Sequence, residues 1–87
     1  MHALEKHCLD ARELAHPKPL EEAMKILRKL NHTNYLHMIH RKNPVPLLDL
    51  AKEQNFFNYS KEVQADEWHI IISCTTPQVD IEELIRV

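Results

Sequence analysis

Arg12, His16 and Lys18 cluster around Pro17 and Pro19, and His40, Arg41 and Lys42 run directly into Asn43-Pro44-Val45-Pro46. Guanidinium, ammonium and imidazole groups gathered around rigid proline turns suit recognition of a carboxylate, a phosphate or an acidic partner surface. Asp10 and Glu13 are the carboxylates nearest these runs and could neutralise part of them. Seven histidines also raise metal ligation, since neutral imidazole binds zinc, copper, iron and nickel. Their spacing argues against it. His37 and His40 point to opposite faces of a strand, and there is neither a His-x-x-x-His pair nor a Cys-x-x-Cys motif. His16 and His40 are the weak metal candidates, and no metal or cofactor is expected. Cys8 and Cys74 are the possible nucleophiles, but neither is expected at the helix start or cationic niche that activates a thiol. No Ser-His-acid signature is present, and a chain without glycine cannot build a glycine-rich phosphate loop. Catalysis is therefore not expected.

The chain that must position these groups has 87 residues, enough for one small core, so residues 1–87 read as a single domain. With 44% hydrophobic and 28% charged residues the composition is globular, and no apolar run is long enough to span a membrane. A net charge of -2 is too balanced for a protein that binds bulk nucleic acid. The segment Met1-His2-Ala3-Leu4-Glu5-Lys6 lacks a leader pattern, and two cysteines without one are expected to remain thiols in a reducing cytoplasm. Without glycine, positive-φ positions fall to Asn or Asp, with Asn31, Asn34, Asn43, Asn55 and Asp66 as candidates.

The pattern predicts a brief strand over residues 8–12, halted by His16-Pro17. From Pro19, Leu20, Ala23, Met24, Leu27 and Leu30 recur at helical spacing, with Asn31 as the cap. Residues 35–41 alternate as a strand, 47–54 form a two-turn helix, and 56–63 and 68–74 form a hairpin linked through 64–67. Residues 75–87 are a tail or a short helix. If one sheet face lacks helices, the hairpin aromatics either form an exposed patch for dimerisation or docking or lie beneath this tail. The expected fold is α/β: a βαβαββ two-layer α+β sandwich, with a four-stranded mixed sheet and two helices on one face. The basic runs then fall at the two strand-to-helix junctions, where α/β sheets usually bind ligands.

The stretch from Leu9 to Pro19, Leu-Asp-Ala-Arg-Glu-Leu-Ala-His-Pro-Lys-Pro, resembles the opening signature of the TusA/SirA-like sulfur-carrier superfamily, Leu-Asp-x-Arg-x-Leu-x-Cys-Pro-x-Pro. It departs at the position of the carrier cysteine, which is His16. Met38 to Leu48 is similar to a bacterial domain-of-unknown-function branch of that superfamily, with a His-Arg-x-x-Pro-x-Pro-Leu pattern. The resemblance implies a TusA-like core fold over residues 8–74, no sulfur carriage, no established activity, and company with hemerythrin-like or nitrogen-oxide-related proteins. Glu13, Asn55 and Glu67 stand where relatives often carry glycine.

Taken together, these features predict a non-catalytic module, monomeric or homodimeric, that recognises a small anion or a protein partner through Arg12, His16, Lys18, His40 and Arg41. The alternatives are a sulfur or redox transfer protein using Cys8 or Cys74, and a histidine-based metal-binding protein.

Overall fold

A computed structural model describes residues 4–86. Met1 to Ala3, part of the segment read for a leader, and Val87 at the end of the tail lie outside the described residues. The elements are β1 (Glu5–Asp10), α1 (Lys18–Leu27), β2 (Asn34–His40), α2 (Val45–Glu53), β3 (Phe57–Gln64), β4 (Glu67–Ser73) and α3 (Ile81–Arg86). The sheet order is β1-β2-β4-β3, with β1 parallel to β2 and the other pairs antiparallel. The expected α+β sandwich around a four-stranded mixed sheet is therefore present.

Of the two fates expected for residues 75–87 and the second sheet face, a short helix lying over the hairpin aromatics is the one present. α1 and α2 cover one face, where Leu36, Met38, Ile70 and Ile72 meet Ala23, Leu27, Leu47 and Ala51. The tail forms α3 and lies on the opposite face, where Ile85 joins Tyr35 and Ile71, flanked by Phe57 and Tyr59. This second contact explains why Asn34 to Met38 are all buried instead of alternating. A central strand covered on both faces has no solvent side.

The element ends differ from the periodicity for local reasons. β1 stops at Asp10 rather than residue 12, because the Asp10 carboxylate accepts the Arg12 backbone N–H at 3.2 Å and turns the chain. α1 ends at Leu27 rather than Leu30: Asn34 accepts the Asn31 N–H at 2.8 Å and donates to the Lys29 carbonyl at 3.1 Å. That side chain satisfies groups a longer helix would have used. Asn31 is consequently not a left-handed cap, and of the five candidates only Asn55 (φ 63°) and Asp66 (φ 59°) have positive φ. The His16-Pro17 peptide is cis.

Asn55 terminates α2 through paired bonds, its own N–H to the Lys52 carbonyl at 3.1 Å and the Phe56 N–H to the Ala51 carbonyl at 2.9 Å. This is the helix-ending pattern in which glycine is usual. Asn55→Ala should destabilise the protein by about 1 kcal/mol in urea unfolding while Asn55→Gly does not, because a Cβ without a polar side chain is penalised at positive φ.

Candidate functional site

At the carboxyl ends of β1 and β2, the starts of α1 and α2 and the β3–β4 turn enclose a cleft of about 530 Å³. The parallel pairing of β1 with β2 makes the two strand-to-helix junctions neighbours, so two segments far apart in sequence share one cavity. Its floor and walls include Leu14, Leu20, Met38 and Leu47, and its polar side carries His16, His40, Arg41, Lys42, Asn43 and Asp66. An apolar interior with a few converging polar groups is the usual form of a small-molecule site.

The prolines shape both helix starts. Each helix has a proline in its first turn and no capping side chain. In α1 the Lys18 N–H goes to the Ala15 carbonyl and the Glu21 N–H to the Pro17 carbonyl; in α2 the Val45 and Leu48 N–H groups go to the Asn43 and Pro44 carbonyls. Pro19 and Pro46 have no N–H to place. What remains in each first turn is one N–H, that of Leu20 and that of Leu47, and neither finds an acceptor among the described residues. Both residues line the cleft. Open N–H groups at helix starts favour negative charge nearby.

The cationic side chains divide into engaged and free. Arg12, expected in the site, does not line the cleft: its guanidinium holds the Asp10 carboxylate at 2.7 and 2.9 Å and reaches Glu67 at 3.3 Å. The pairing keeps Asp10 charged, its pKa lowered to about 2 by the Arg12 hydrogen bonds. Lys18, also expected there, is the exposed first residue of α1 and does not face the cavity. Arg41 and Lys42 do line it, and neither forms an ion pair among the described residues.

His40 accepts the Lys42 backbone N–H on Nδ1 at 3.3 Å, so in the neutral ring the proton sits on Nε2. Burial, followed by the Lys42 and Arg41 charges, lowers its pKa and favours that neutral form. His40 thus offers a hydrogen-bond donor rather than a charge. His16 lines the same cavity, so this histidine pair does converge. Among the described residues no group of three or more His, Cys, Asp or Glu is placed to hold a metal ion. Cys8 and Cys74 are free thiols away from the cleft.

Two features escaped sequence reasoning. Asp66 enters the cleft only because the β3–β4 turn folds over the end of β2, a placement that depends on the antiparallel pairing of β2 with β4. On the α3 side of the sheet, Glu67 Oε2 lies 2.8 Å from His69 Nε2, and His69 Nδ1 lies 2.8 Å from His37 Nε2. The alternation Glu67-x-His69 was the visible signal that these two share a face; that His37 meets them required the strand register.

A sequence model of the family described as "Uncharacterized conserved protein (DUF2249)" matches residues 8–74. No curated protein and no solved structure matches the chain.

Proposed function

Since this chain belongs to the DUF2249 family of uncharacterised conserved proteins, we propose from its cleft that it is a non-catalytic binding module for a small organic anion. The carrying observation is that Arg41 and Lys42, both without an ion pair among the described residues, flank an apolar cavity. The Leu20 and Leu47 N–H groups and the His40 Nε2–H add neutral donors. A carboxylate at the mouth would engage these donors while its hydrocarbon part displaces water from Leu14, Leu20, Met38 and Leu47. The cleft is small-molecule sized, which favours a metabolite over an extended partner surface.

We also place the family beside the TusA/SirA-like sulfur carriers, as a bacterial, cytoplasmic branch that has lost sulfur carriage. The Leu9 to Pro19 signature supports this, with His16 at the cleft where a carrier would have its cysteine. Two free thiols suit a reducing compartment. Among the described residues no helix is long and apolar enough to cross a membrane.

The test is thermal unfolding of untagged protein with a straight-chain carboxylate such as hexanoate. A ligand that binds only the folded state raises Tm in a concentration-dependent way. The rise should shrink as sodium chloride is added, because Arg41 and Lys42 are exposed and their charges are screened. No rise at any carboxylate concentration, or one indifferent to salt, would count against the reading.

A further inference from the structure

The anion reading leaves one cleft group unexplained, and it is an anion. Asp66 lines the cavity and, like most of the described carboxylates, forms no ion pair; what sets it apart is that it lies in the cleft. Its backbone, at φ 59°, needs a residue that tolerates the left-handed region. Asn or Gly would meet that need without a charge. The aspartate therefore places a negative group in a cavity that a simple anion would find less hospitable.

The register locates it. The last pair between β2 and β4 is His40 with Trp68; Lys42 lies two residues beyond it on one segment and Asp66 two residues before it on the other. Positive and negative groups therefore line one cavity, and among the described residues neither Lys42 nor Asp66 forms an ion pair. A ligand that satisfies both must carry its own opposite charges close together. The apolar wall formed by Leu14, Leu20, Met38 and Leu47 asks for a hydrocarbon side chain attached to that doubly charged head.

We propose that the cleft binds an α-amino acid with an apolar side chain, its carboxylate held by Arg41 and Lys42 and its ammonium group by Asp66. This rests on the anion-binding reading and adds the second charge. Asp66 is then the residue that selects zwitterions over plain carboxylates. An opposing carboxylate contributes most when the ligand brings a cation to it and repels a ligand that does not.

Three nearly isosteric probes separate the possibilities: norleucine, hexanoate, which lacks the amine, and pentylamine, which lacks the carboxylate. Their affinities for the full chain are measured by calorimetry, with thermal unfolding as a check. Norleucine should bind at least tenfold more tightly than either of the others. Asp66→Asn, which keeps a side chain suited to positive φ, should bring norleucine down to the level of hexanoate and leave hexanoate binding unchanged or improved. If hexanoate matches norleucine in the native protein and Asp66→Asn alters neither, the zwitterion proposal fails while the anion reading stands. If none of the three binds, both are overturned.

Discussion

Acidification from pH 7 to pH 4 should cost the folded protein on the order of 3 kcal/mol of stability, most of it through His37. This ring is 2% exposed, and burial, followed by the nearby His69 and Lys6, lowers its pKa from 6.5 to about 4. Above pH 6.5 the ring is neutral in both the folded and unfolded chains and adds no pH dependence. Between 6.5 and about 4 the unfolded chain takes up a proton that the folded protein refuses, so stability falls as pH falls through that window. His40, also shifted downward, adds to the loss with the same sign. The Asp10 carboxylate, with its pKa near 2, begins to contribute only below its ordinary value of 3.8.

The hydrogen bonds explain why His37 resists the proton. With Glu67 accepting from His69 Nε2, the lone pair of His69 Nδ1 faces His37 Nε2 and requires a proton there. His37 Nδ1 is then the bare nitrogen, buried without a hydrogen-bond partner. Protonating it would place a second N–H and a full charge in a pocket that offers no acceptor. His37→Gln keeps a side-chain N–H for His69 but cannot titrate. Urea unfolding across this pH range should show a much flatter profile for the variant, even if its stability at pH 7 is lower. A variant profile as steep as that of the native protein would assign the acid sensitivity elsewhere.

Arg41→Ala should weaken hexanoate or norleucine binding ten- to a hundredfold, the loss of roughly 1.5–3 kcal/mol expected for a hydrogen bond to a charged group. The same change should leave unfolding without ligand within about 0.5 kcal/mol of the native value, because Arg41 is exposed and has no ion pair among the described residues. That combination distinguishes a binding residue from a structural one. Arg41→Lys should fall between the two, keeping the charge but losing the planar fork that grips both carboxylate oxygens. Affinity within twofold of native in Arg41→Ala would remove this residue from the site.

Arg12 shows where reading by sequence proximity breaks down. It is four residues from His16 and as basic as Arg41, yet Asp10 and Glu67 hold it away from the cleft. Asp10 was visible as a local competitor. Glu67 was not, because it comes from the start of β4, across β2 from Arg12. Arg41 and Lys42 remain open because among the described residues no carboxylate forms an ion pair with them, a property of the assembled sheet rather than of their own segment.

The order of strands and helices and the placing of the two proline-rich segments at strand-to-helix junctions follow from the chain itself, whereas the parallel pairing that brings those junctions together came from the assembled sheet. Periodicity and proline positions act over a few residues, where local sterics and hydrophobic patterning decide the outcome. Tertiary structure alone decided that α3 closes the second face, that His37 is buried beside His69, and that Asp66 enters the cleft while Arg12 leaves it. Each of these depends on strand register and on contacts between distant segments. The charge or burial of a side chain in such a place is set by the groups that come to face it, and no short stretch of sequence contains them.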